Sequence, residues 1–108
     1  MEIIMKNLCP IIETRLTAIE AACQQNGIQA LWLFGSATRP DFNVGQSDVD
    51  FLVQLASDHS PASQFFGLYR SLAEIFDERI DLLSIGGITN PLLRREIEHT
   101  RIPLYVAS

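Results

Sequence analysis

The chain has 108 residues, a formal net charge of −5 and a hydrophobic share of 47%, enough for one domain over residues 1–108 but too little for a catalytic domain joined to a separate acceptor-recognition domain. The acidic balance, with a pI near 4.8, argues against direct nucleic-acid binding, since that affinity comes mostly from Lys and Arg neutralising phosphates. No apolar stretch approaches the roughly 20 residues of a membrane span, and the start Met1-Glu2-Ile3-Ile4-Met5-Lys6 lacks the features of a secretory leader, so a cytoplasmic protein is expected.

Residues 8–26 place Leu8, Ile11, Ile12, Leu16, Ile19, Ala22 and Cys23 at three- and four-residue spacing, which predicts one amphipathic helix with Pro10 in its first turn and Gly27 as its stop. Cys9 and Cys23 bracket that helix, and a rise of about 1.5 Å per residue sets them about 21 Å apart, too far for a disulfide. Residues 28–34 predict a first strand ending at Gly35-Ser36, and residues 37–46, with Pro40, Asp41, Asn43 and Gly45, predict a loop with room for a helical turn after Ser36. Residues 48–55 predict a second strand.

Ser60-Pro61 then opens a helix running to about Asp77, with Phe65, Phe66, Leu68, Tyr69, Leu72, Ala73 and Phe76 as its buried face. Residues 79–85 predict a third strand closed by Gly86-Gly87. A short helix capped by Asn90 with Pro91 at its first position follows, and residues 101–106 predict a last strand. The expected fold class is α/β: a small mixed β-sheet flanked by helices.

Two motifs carry chemistry. The run Leu31-Trp32-Leu33-Phe34 into Gly35-Ser36 predicts a buried strand entering a turn that needs a residue without a Cβ, where backbone N–H groups can approach an anion. In Ser47-Asp48-Val49-Asp50-Phe51-Leu52-Val53 the two acids are two apart on a strand, so both carboxylates leave one face while Val49, Phe51 and Val53 enter the core. Paired carboxylates on a rigid strand suit Mg²⁺. The single lysine, Lys6, against seven arginines makes an arginine the expected phosphate partner.

Gly35-Ser36, a loop, Asp48-x-Asp50 and the later strand acid Asp81 in Ile80-Asp81-Leu82-Leu83 resemble the DNA polymerase β-like nucleotidyltransferases. Within them the chain looks like the minimal nucleotidyltransferases paired with all-helical HEPN proteins, often as toxin–antitoxin systems. The ending Leu92-Leu93-Arg94-Arg95-Glu96-Ile97 … Pro103-Leu104-Tyr105 also looks like that family's closing helix and strand. Eleven residues separate Ser36 from Asp48, one more than the family pattern, and an extra surface-loop residue costs little. The resemblance implies that Gly35 and Ser36 bind the triphosphate of ATP, and that Asp48 and Asp50 hold Mg²⁺. It implies further that Asp81 completes the metal's shell and accepts the attacking hydroxyl's proton, and that Arg39 pairs with phosphate.

That reading predicts transfer of AMP from ATP to a hydroxyl, a tyrosine of a cognate HEPN-type toxin, with this chain as antitoxin in a hetero-oligomer. Two alternatives stand beside it. One is a non-catalytic module that neutralises its partner by binding, which three converging and mutually repelling carboxylates do not require. The other is transfer to a small molecule, for which the chain has no second domain. Arg94 and His99 have the Arg-x4-His spacing of HEPN nucleases, but here Pro103 and a strand follow at once, and His59 reads as a loop histidine. Neither cysteine has a near neighbour of ligand type, so no zinc site is expected. Tyr69 and the adjacent phenylalanines read as core.

Overall fold

A computed structural model describes residues 8–39, 48–58 and 60–107. The start at residues 1–6, the loop residues Pro40, Asp41, Asn43 and Gly45, and His59 lie outside them. Helices α1 (Pro10–Glu13) and α2 (Leu16–Gln25) lead into strand β1 (Ile28–Phe34), followed by a 3₁₀ turn at Gly35–Thr38. Then come β2 (Val49–Leu55), α3 (Pro61–Ile75), β3 (Ile80–Ser84), a second 3₁₀ turn at Ile85–Gly87, α4 (Pro91–Thr100) and β4 (Ile102–Val106). The predicted single helix over residues 8–26 is therefore two. Thr14 Oγ1 donates to the Pro10 carbonyl at 2.9 Å and Arg15 Nη1 to that of Ile11 at 3.0 Å. Arg15 also donates from Nε to the Ile75 carbonyl at 3.2 Å and lies 5.4 Å over the Phe76 ring. These long-range contacts hold Arg15 at φ −114°, ψ 9°, off the helical ladder, and so turn α1 against the end of α3.

The sheet order is β3-β2-β1-β4, with β1 antiparallel to both neighbours and β2 parallel to β3. The parallel pair follows from α3, which supplies the long crossover such a pair needs. Alternation sorts the strand residues onto two faces. Leu31, Leu33, Val49, Phe51, Val53 and Leu82 enter a core closed by Ile12, Ile19, Cys23, Leu68 and Leu72 from the helices. Full burial of each leucine stabilises by about 1.5–3 kcal/mol. The opposite face buries Leu52, Ile88 and Ile97, with Trp32, Phe34 and Ile85 beside them, under α4.

Capping follows the sequence. The Ser60 side chain accepts the Ser63 N–H at 3.4 Å, and Asn90 Oδ1 accepts from Leu92 at 2.9 Å, with Pro61 and Pro91 in the first turns. Gly27 stops α2 at φ +67°. Gln64, 2% exposed, bonds both the N–H and the C=O of Ala56 and so ties α3 to the end of β2. One expectation for α3 fails: Phe66 is 62% and Tyr69 43% exposed, and Ala73 is exposed too. Leu68, Leu72 and Phe76 are buried as expected, and Gln64 joins them. Phe66 lies two residues from the buried Gln64 and Leu68, which turns it to the opposite side of the helix, while Tyr69 and Ala73 stand on the edge of the buried stripe that the sheet covers.

Cys9 and Cys23 are both buried and free, as expected, although the broken helix removes the straight 21 Å measure. Among the described residues no helix is long and apolar enough to cross a membrane.

Candidate active site

Strand β1 delivers the chain to Gly35 at φ +74°, a conformation that costs a side-chain-bearing residue about 1–2 kcal/mol. Space disfavours a side chain as well, since a Cβ at Gly35 would run into Asp50 Oδ2 and push that carboxyl from its place. The turn is then locked from within: Thr38 Oγ1 donates to the Gly35 carbonyl at 2.6 Å and the Arg39 N–H to the Ser36 carbonyl at 3.1 Å. Ser36 Oγ donates to the Asp48 carbonyl at 3.4 Å. That long bond joins the turn to the start of β2, and at 3.4 Å it holds the single hydroxyl proton only weakly, so that a better-placed acceptor can take it.

Val49, Phe51 and Val53 are fully buried on the helix-packed face, so alternation sends Asp50 to the other face, on the same side as Asp48. There Asp50 stands in register with Asp81 of β3, and the two carboxyls share a hydrogen bond. Burial, then the charge of Asp81 and that hydrogen bond, and last the charge of Asp48 push the Asp50 carboxyl up to about 6. Asp48 and Asp50 are half-buried while Asp81 is exposed, which grades the three acids from the interior to solvent. The structure thus brings together Gly35, Ser36, Asp48, Asp50 and Asp81. Among the described residues, however, no three or more His, Cys, Asp and Glu side chains are grouped closely enough to hold a metal ion as they stand. Asp50 and Asp81 form a hydrogen-bonded pair, and Asp48 acts on Asp50 through its charge alone.

On the far side of Gly35 a cleft of about 200 Å³ opens between the 3₁₀ turn and α4, lined by Phe34, Thr38, Arg39, Leu93, Glu96 and Thr100 among others. Arg39 is exposed and is the one cation in that lining among the described residues. The α4 wall was not anticipated. Leu93, Ile97 and Thr100 recur at helical spacing, but only the tertiary crossing of α4 over the Gly35 turn aims them here. Arg94, the other arginine singled out from this helix, turns away and donates to the Ile88 carbonyl at 2.8 Å.

A strand ending in a left-handed glycine is thus set against acids on two neighbouring strands. The chain belongs to the family described as polymerase β, nucleotidyltransferase, whose model matches residues 17–108. A relative from Methanocaldococcus jannaschii, provisionally described as a protein adenylyltransferase, is 29% identical over 76 residues, 69% of this chain and 75% of the relative. A structure provisionally described as a minimal nucleotidyltransferase superposes with a TM-score of 0.64 at 25% identity, covering 87% of this chain and 93% of that one. An MNT antitoxin in complex with a tri-AMPylated Shewanella oneidensis HEPN toxin gives a TM-score of 0.62 at 20% identity, over 88% of this chain and 72% of the other. At that identity the last likeness speaks to the fold.

Proposed function

We propose that this nucleotidyltransferase transfers AMP from ATP to a tyrosine hydroxyl on a HEPN-type partner protein in the cytoplasm and thereby silences it. In that reading residues 1–108 act as one domain, Mg²⁺ is required, and the enzyme works as an antitoxin bound to its partner. The observation that carries the proposal is the meeting of Asp48, Asp50 and Asp81 on one sheet face, against the Gly35 turn. The relatives supply the acceptor class: one carries the description protein adenylyltransferase, and a structural neighbour is bound to an AMPylated HEPN toxin.

The donor set fits Mg²⁺. All three candidate ligands are carboxylates, the hard oxygen donors this ion prefers, and the burial and, after it, the neighbouring acid charges that lift Asp50 are both offset by a dication. An incomplete cage also suits Mg²⁺, which keeps waters and substrate phosphates among its ligands. When bound by Asp48, Asp50 and Asp81, the ion would supply charge neutralisation at the phosphates.

The chain's own groups do the rest. The Gly35–Thr38 turn admits the triphosphate close to the backbone because Gly35 lacks a Cβ. Ser36 exchanges its long bond to the Asp48 carbonyl for donation of that hydroxyl proton to a β- or γ-phosphate oxygen, and Arg39 pairs with phosphate from the cleft wall. The acceptor hydroxyl oxygen attacks the α-phosphorus, its proton passes to a carboxylate oxygen of Asp81, and the bond from the α-phosphorus to the bridging oxygen breaks as pyrophosphate leaves. Asp81 suits the proton transfer because it is the most exposed acid of the set and so meets an incoming protein side chain first. Incubation with a HEPN-type partner, ATP and Mg²⁺ should add AMP mass to that partner, and an Asp48→Asn/Asp50→Asn variant should add none. Equal transfer by the variant would sink the assignment.

A further inference from the structure

The two edges of the sheet are built differently. β4 carries Pro103 as its second residue, which removes a backbone donor and blunts that edge against further strands. β3, at the opposite edge, reads Ile80-Asp81-Leu82-Leu83-Ser84 and has no proline, lysine or bulge. Its register fixes which peptide groups are free. The Arg79 carbonyl accepts the Val49 N–H at 2.9 Å, so by alternation the peptide groups of Asp81 and Leu83 also face β2. Those of Ile80, Leu82 and Ser84 then point out along the edge, where no strand pairs with them among the described residues. Strand β3 also carries Asp81, with Leu83, 36% exposed, two residues on and on the same face.

We propose that an extended segment of the acceptor protein docks on this edge as an added strand, hydrogen-bonded to the outward peptide groups of Leu82 and Ser84. This rests on the reading of the chain as a protein-modifying enzyme and gives that reading a docking mode. Main-chain bonds to the edge give affinity. Alternation then places a hydroxyl-bearing side chain on the site face beside Asp81, and an apolar side chain two positions away against Leu83. A second copy of this chain fits the edge poorly, because antiparallel pairing of two β3 strands sets two Asp81 carboxylates on adjacent strands of one face, and like charges so placed repel. A neutral segment with a hydroxyl donor removes that repulsion.

The test uses the intact chain with a HEPN-type partner as the probe, and Ser84→Pro as the perturbation. Ser84 makes no side-chain cap bond, its ψ of 140° and φ of −89° lie near what proline adopts, and the N–H it would lose is an outward one. Hydrogen exchange at the Leu82 and Ser84 amides should slow when the partner binds. Ser84→Pro should raise KM for the protein acceptor about tenfold while leaving AMP transfer to N-acetyl-tyrosinamide, which has no strand to add, unchanged. Val106→Pro, on the opposite edge, should change neither. Partner binding without protection of those amides would overturn the proposal, as would equal loss with both acceptors, or protection that appears on concentrating the chain alone. Absence of AMP transfer by the unsubstituted chain to either acceptor would count against the enzymatic reading, and strand docking would still stand or fall on the exchange data.

Discussion

Asp50 and Asp81 face each other across the parallel β2–β3 ladder and share a hydrogen bond, so one sheet register makes a pair of acids that cannot both ionise cheaply. Burial and Asp81 together push the Asp50 carboxyl from 3.8 up to about 6. Between those values the folded chain holds a proton that the unfolded chain has lost, so stability falls as pH rises through this window and is highest below it. The full linkage, about 3 kcal/mol at 1.36 kcal/mol per pH unit, shrinks to about 1 kcal/mol once solvent screening of a half-exposed group is allowed for. In chelator, the denaturation midpoint should therefore drop between about pH 4 and about pH 7, and Mg²⁺ should restore it. Asp50→Asn should flatten that slope, stabilise the metal-free chain at neutral pH and abolish transfer. A pH slope that survives in Asp50→Asn would show that other groups carry it.

The acids and the glycine turn were legible because each is a local pattern: the two-residue spacing of Asp48 and Asp50 needs only strand alternation, and Phe34-Gly35-Ser36 needs only a strand meeting a turn. All four strands were likewise legible to within a residue or so, and the proline-led helix starts at Pro61 and Pro91 were placed to the residue. What depends on distant partners was not. Arg15 breaks the first helix because Ile75 and Phe76, sixty residues on, hold its guanidinium. The α4 wall of the cleft and the outward turn of Phe66 and Tyr69 likewise depend on where helices cross a sheet, which no local period encodes.

Gly35 offers a contrast with a second glycine. An alanine at Gly35 would be strained at φ +74° and would displace Asp50, so Gly35→Ala should cost about 2 kcal/mol in denaturant unfolding and lower kcat at least tenfold. At Gly87 a Cβ meets nothing within 4 Å, and Gly87→Ala should leave both values unchanged. Similar behaviour of the two variants would remove the steric argument for the turn.

Arg39 lines the cleft beside Gly35 from an exposed position, where it contributes to ligand binding more than to folding. Arg39→Ala should raise KM for ATP by about tenfold, worth about 1.4 kcal/mol, with thermal stability changed by less than about 0.5 kcal/mol. Arg39→Lys should recover only part of the affinity, because a point charge does not reproduce the forked donor. Unchanged nucleotide affinity in Arg39→Ala would move phosphate recognition entirely onto the turn.

Cys23 is fully buried in α2, and burial, with the nearby Glu20 charge second, pushes its thiol up to about 12. The thiolate is the reactive form, so Cys23 should resist iodoacetamide in the native chain at neutral pH and react only through opening of the α2–sheet core. Alkylation rates followed across a denaturant series should track global unfolding. Fast native-state labelling at Cys23 would show that α2 opens independently of the sheet.

Phe66 and Leu72 separate what the α3 apolar pattern conflates. Leu72 is fully buried between α3 and the sheet, while Phe66 is 62% exposed and touches Phe65 edge-on at 5.5 Å between ring centroids. Leu72→Ala should leave a cavity and cost about 2–5 kcal/mol. Phe66→Ser loses one exposed aromatic contact and should stay within about 1 kcal/mol of the parent, although its aromatic ring is the larger apolar group. Urea unfolding of the two variants checks the ordering, and a Phe66→Ser loss as large as that of Leu72→Ala would mean that the outer flank of α3 is covered in the folded chain.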